Sequence, residues 1–215
     1  MCSIMKNISP NGFIEFDEHE DAVHSLEELS NQLLGAQSDA KSWKFALILG
    51  CNALNSALVC ALNDTAGVAC LTRRSRAATL KWFEESRIDP NAKYPEQRLE
   101  SPLALVRLAR RDRGLCSQVA FSLQKMRDIR KAFNLRNRFV HFLPASWSIE
   151  VAGLPRIVLT LAQVSDQLLC ATGKTYNRVL YEEDLHVRLK RAICDIVDRT
   201  KALGIELGEP IVESE

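Results

Sequence analysis

The chain has 215 residues, enough for one domain of good size. Apolar residues make up 47% and charged residues 26%, which excludes a disordered, collagen-like or fibrous chain. Seven prolines and nine glycines are too few for an all-β protein of many tight turns. The net charge of +1 hides a strong asymmetry. Residues 1–40 hold one lysine and eight acids, while residues 98–138 hold eleven bases and three acids, a block of +8. Such a block implies an anionic partner, either a phosphate backbone or an acidic surface of the same chain. The N-terminal segment is acidic enough to be that internal partner, docked over the basic helices.

The seven cysteines are odd in number, scattered and without a CxxC pair. They read as reduced, mostly buried thiols of a cytoplasmic protein. The first twenty residues carry no long apolar run of the kind a secretory signal needs. Phe45 to Leu62 is apolar, but Asn52, Asn55 and Ser56 interrupt it. It reads as a buried core helix and no membrane contact is expected.

In chain order the pattern predicts helices. Asp21 to Leu34 repeats apolar residues at Val23, Leu26, Leu29 (or Leu33) and Leu34, with an acidic outer face. Ala40 to Leu62 follows. Arg73 to Ser86 gathers Ala77, Leu80 and Phe83 on one side. Ser101–Pro102 opens the next helix, serine as cap and proline in the first turn, and Gly114 interrupts it. Ser117 to about Phe142 is the longest periodic run before Pro144. Trp147 to Val151 alternates apolar and polar residues and predicts one short strand. Leu154–Pro155 starts a helix, and another runs from about Glu182 to Leu203, stopped by Gly204. The expected fold is therefore all-α, a bundle of six to seven helices. Its parts are an acidic extension with one helix (1–38), a helical domain (39–204) and an acidic tail (205–215).

Two attractive motifs fail. His19 and His24 lie five apart, so a helix sets their rings about 140° from each other and no shared metal is possible. Gly173-Lys174-Thr175 resembles the end of a phosphate-binding loop, but Leu168 stands where the first glycine is required. No metal site or cofactor is expected. The Arg73–Arg76 and Arg107–Arg113 clusters do not sit on a clear helix-turn-helix, so a DNA-binding regulator is not favoured.

One stretch stands out. Numbered as heptads from Val119, the helix beginning at Ser117 puts Val119, Met126, Phe133 and Val140 at one core position. Ile129 and Arg136 fall at the other, and Leu123, Arg130 and Asn137 beside it. Arg136 and Asn137 thus enter an apolar stripe, where a guanidinium is costly without a partner or water. Arg127, Lys131, Asn134 and Arg138 line the opposite face. Five residues separate Arg136 from His141, which sits at the helix end before Pro144.

Arg136-Asn137-(three residues)-His141 resembles the R-x(4–6)-H signature of the HEPN superfamily, with its frequent asparagine after the arginine. The segment RNRFVHFLPASWSIEVAGLPRI is similar to a subgroup of uncharacterised bacterial HEPN-like proteins, over about residues 117–170. The resemblance implies an antiparallel helical bundle that forms a homodimer through the motif helices. It implies a metal-independent endoribonuclease, with a setting in stress or phage defence. Arg136, Asn137 and His141 would be catalytic, and Arg127, Arg130, Lys131 and Arg138 would bind RNA. His141 would act as general acid or base and Arg136 would hold the charge of the pentacoordinate phosphate, giving a 2′,3′-cyclic phosphate. Many toxin members of the family carry a tyrosine two residues after the histidine; here that residue is Leu143. The alternative is a catalytically silent helical dimer serving as a binding or interaction module. In that case Arg136 closes the bundle as an ion pair and His141 is a capped ring near a helix C-terminus.

Overall fold

The computed structural model describes residues 16–141, 144, 146–171 and 177–206. Eight helices form among the described residues: α1 (Glu18–Ala36), α2 (Ser42–Leu62), α3 (Arg73–Glu85), α4 (Pro102–Arg111), α5 (Leu123–Val140), α6 (Leu154–Leu169), α7 (Arg178–Tyr181) and α8 (Glu183–Glu206). The all-α expectation holds, with α7 a single additional turn.

α2 runs through the centre and packs against α1, α4, α5 and α6. Its length and apolar composition would suffice to cross a membrane, and 61% of its most apolar stretch is buried inside the protein. Leu47, Leu54 and Leu58 of α2 are fully enclosed with Leu26, Leu29 and Leu33 of α1 and Leu161 and Leu168 of α6. Burial of each leucine contributes about 2 kcal/mol before entropy is counted. Gly50 allows α2 to approach α6 closely, because a Cβ there would stand 2.9 Å from Leu161 Cδ1.

α1 starts at Asp17, whose carboxylate accepts from the backbone N–H groups of His19 and Glu20 at 2.9 Å. It shares its core with α2, α6 and α8, across the expected boundary at residue 38. Its acids meet α7 and α8 and do not dock over the basic block. Arg188 bonds Glu20 at 2.8 Å and Glu27 at 2.7 Å, and Arg178 pairs with Asp17. The arginines of the C-terminal helices are therefore the internal partners of the acidic segment. Within α1, His19 is buried and His24 is mostly exposed, as their five-residue spacing requires.

α3 stands off this core. Leu80 and Phe83 are 45% and 36% exposed, and the buried residues of α3 are Ser75 and Thr79. The chain after α3 folds back along it: Trp82 Nε1 donates to Ala92 O at 2.9 Å, and Arg98 N donates to Ser75 Oγ at 3.0 Å. This return leg delivers Glu100 and Ser101 to the start of α4, where Ser101 caps Ala104 N at 3.4 Å.

Three further expectations require correction. The helix anticipated from Ser117 begins six residues later, at Leu123. Asp112 Oδ1 captures the N–H groups of Gly114 and Leu115, Ala120 N donates to Gln167 Oε1 at 3.1 Å, and Ser122 is the real cap, accepting from Lys125 N. The strand over 147–151 does not form. Its alternation is real, with Ile149 and Val151 packed on the core, but among the described residues no neighbouring strand lies there to pair with. The helix expected to stop at Gly204 continues to Glu206, with Gly204 buried. Leu143, the Gly173-Lys174-Thr175 motif, Cys2 and residues 207–215 lie outside the described residues. Of the six described cysteines, Cys51, Cys60 and Cys70 are buried, Cys170 is half-buried, and Cys116 and Cys194 are exposed.

Candidate nucleic-acid interface

α5 carries the basic block to the surface because its one carboxylate turns inward. Asp128 is 3% exposed and is held by Arg156 of α6 at 3.3 Å, by Gln124 at 3.0 Å and by Thr160 at 3.4 Å. The outer face of α5 is then purely cationic. Arg127, Arg130, Lys131 and Arg138, on successive turns of the helix, line one shallow recess of about 270 Å³ with Asn134 and Leu135. None of these four forms a salt bridge among the described residues. The Arg138 guanidinium lies over the Trp147 ring, 4.3 Å from its centroid, and Phe139 packs on the same indole at 4.9 Å. The four cations named from the sequence are thus brought together on one surface.

A second, deeper cleft of about 380 Å³ opens between α2, the start of α4 and α5. Cys51, Asn52 and Asn55 of α2 line it, with Leu99 to Leu103 and with Phe133, Asn134, Arg136 and Asn137 of α5. Asn134 borders both cavities, so the basic strip leads into the cleft. Arg136 is half-buried and its Nη1 donates to Asn137 Oδ1 at 3.2 Å. No carboxylate among the described residues pairs with it. Among the described residues Arg136 therefore closes no ion pair across the bundle.

Cys51 lies at the cleft with its thiol pushed up to about 12 by burial, the nearby Arg136 charge opposing only part of that rise. It stays a neutral thiol and offers no nucleophile at ordinary pH. His141 is the residue that ends α5. It is exposed, its backbone N–H donates to Asn137 O at 2.9 Å, and it does not line the cleft. Asn137 thus joins the two: its side chain holds Arg136 and its carbonyl holds the His141 amide. The structure brings Arg136 and Asn137 into one cavity and leaves His141 outside its lining, at the end of the same helix.

Sequence reasoning missed Asn52, Asn55, Glu100 and Asp128. Asp128 had a signal, because it is the only acid between Asp112 and Glu150. Asn52 and Asn55 had one as well, as amides in the most apolar helix. Glu100 had none, since only the fold brings the start of α4 to α5. Among the described residues Asp17, Glu18 and His19 have ligand atoms within 4.8 Å of one another, but Asp17 is already spent on the α1 cap and on Arg178. Comparison with protein-family models, with curated proteins and with solved structures finds no match.

Proposed function

We propose that this chain is a HEPN-like protein acting on RNA, a metal-independent endoribonuclease whose site is completed when two copies pair at the ends of their α5 helices. The observation that carries the reading is that Arg136 and Asn137 enter a cleft reached from an unpaired cationic strip, with His141 hydrogen-bonded at the same helix end. RNA phosphates follow Arg127, Arg130, Lys131 and Arg138, with affinity falling as salt rises. His141 takes the proton of a ribose 2′-hydroxyl, which attacks the adjacent phosphorus. Arg136 holds the negative charge of the pentacoordinate phosphate, and Asn137 fixes the guanidinium. The P–O5′ bond breaks and its oxygen takes up the proton that His141 carries, leaving a 2′,3′-cyclic phosphate and a 5′-hydroxyl.

Because His141 stands outside the cleft of its own chain, the histidine that serves Arg136 comes from the second copy. A mixing experiment tests this. Arg136→Ala and His141→Ala are each expected to be inactive in chelator. Mixed and allowed to exchange subunits, they should recover up to a quarter of wild-type cleavage, because half the dimers are mixed and each carries one intact site. A mixture as inactive as its parts rules out the shared site. A second reading rests on the same placement of His141: a binding module without catalysis. RNA binding by the wild type with no cyclic-phosphate product would establish it.

A further inference from the structure

The cleft between α2, α4 and α5 holds polar groups with unused bonding capacity. Asn52 and Asn55 stand three residues apart on α2, hence on one face, and both line the cleft. Neither amide has a hydrogen-bond partner among the described residues. Glu100, on the residue before the α4 cap, lines the same cleft, and its carboxylate forms no ion pair or hydrogen bond among the described residues. Arg136 shares the cavity and among the described residues bonds only Asn137. A carboxylate and a guanidinium therefore face one space of about 380 Å³ without pairing with each other. That arrangement fits a ligand with N–H donors at one end and negative charge at the other.

We propose that this cleft takes one guanine nucleotide, with Glu100 reading the base and Arg136 holding its phosphate. A carboxylate only accepts hydrogen bonds. Among the four RNA bases, guanine alone presents two adjacent N–H donors, N1–H and the N2 amino group, on its Watson–Crick edge. Adenine and cytosine set a ring-nitrogen lone pair against the carboxylate, and uracil sets two carbonyls beside its single N–H. The Asn52 and Asn55 amides can donate to guanine O6, and the Phe133 and Leu103 side chains give an apolar wall for the ring. The volume falls within the range of small-ligand pockets, about 300–1,000 Å³.

The inference rests on reading the cleft as the RNA-acting site, so its test is binding and not cleavage. Calorimetric titration of the full chain with 5′-GMP, AMP, CMP and UMP is expected to show GMP at least about tenfold tighter, the size a two-hydrogen-bond base contact gives. Glu100→Gln should remove that preference with an unchanged melting temperature, because the carboxylate has no partner among the described residues. Asn52→Ala, an exposed position, should weaken GMP without altering the fold. Equal affinity for the four nucleotides, or a guanine preference that survives Glu100→Gln, overturns the proposal. A uridine nonamer with one central guanosine, compared with all-uridine, separates the sources. A gain over free GMP marks an RNA residue as the natural ligand, and no gain marks the free nucleotide; either keeps the guanine site. Guanine binding without RNA cleavage removes the endoribonuclease and leaves the pocket, whereas cleavage without guanine preference does the reverse.

Discussion

Arg156 of α6 grips Asp128 of α5 at 3.3 Å, and through that contact α6 fixes the rotation of the helix that carries the whole basic strip. The carboxylate is almost wholly enclosed, while the guanidinium is about half exposed (47%). Removing Arg156 leaves a buried charge with only Gln124 and Thr160 as donors. Arg156→Ala is expected to cost about 2–3 kcal/mol, below the roughly 3–5 kcal/mol of a pair buried on both sides, because water reaches the arginine side. Urea unfolding of the two proteins measures it. A loss under about 0.5 kcal/mol, the size of an ordinary surface change, would mean that the pair does not hold α5.

The helices that sequence predicted best are those whose ends carry their own chemistry. Ser101–Pro102 opened α4 and Leu154–Pro155 opened α6 where expected, since cap and proline act within one turn. The start of α5 was missed because Ser117 and Ser122 are both plausible caps. The choice was made by Asp112 and by Gln167, whose amide comes from α6, far along the chain. The strand at 147–151 was misread for a related reason: alternation records which side chains face a core, and only a neighbouring strand turns it into a ladder. In the cleft, Arg136 was legible as a charge out of place on an apolar stripe. Glu100 was not, because nothing near it in sequence shows that it will meet α2 and α5.

Glu27 makes one interface pH-dependent. Its hydrogen bond and ion pair with Arg188 outweigh partial burial and hold its carboxyl below the ordinary value of 4.5. A carboxyl lowered in the folded state stabilises fully above the unfolded value and loses that contribution as pH falls through the folded one. The difference in melting temperature between wild type and Glu27→Gln should therefore be present at pH 7 and shrink steadily below about pH 4.5. A difference that is constant across pH 3–7 would show that the ion pair to Arg188 contributes nothing that the neutral amide does not.

The basic strip has a salt signature. Arg127, Arg130 and Lys131 are exposed and without carboxylate partners among the described residues, so each can release one counterion on binding a phosphate. Each single alanine substitution is expected to lower the slope of log affinity against log salt by about one, uniformly across RNA sequences. Fluorescence anisotropy with two unrelated single strands reads both quantities. Unaltered slopes would place the RNA path elsewhere, with the exposed arginines of α4 (Arg107, Arg110 and Arg111) the next to test.

Arg136 separates a functional cleft from a structural one. Among the described residues its single hydrogen bond goes to a neighbouring amide on its own helix, and no described acid is left stranded when it is removed. Arg136→Ala is therefore expected to change unfolding free energy by no more than about 0.5 kcal/mol, where half of a buried ion pair would cost about 3–5 kcal/mol. His141→Ala should be equally mild, since the α5 cap uses the backbone N–H of residue 141 and not its ring. Both variants should keep the wild-type thermal transition while losing cyclic-phosphate product from RNA in chelator. If either instead unfolds far below the wild type, its loss of activity says nothing about chemistry, and the side chain is part of the scaffold. If both fold normally and RNA cleavage persists, Arg136 and His141 are not the catalytic pair.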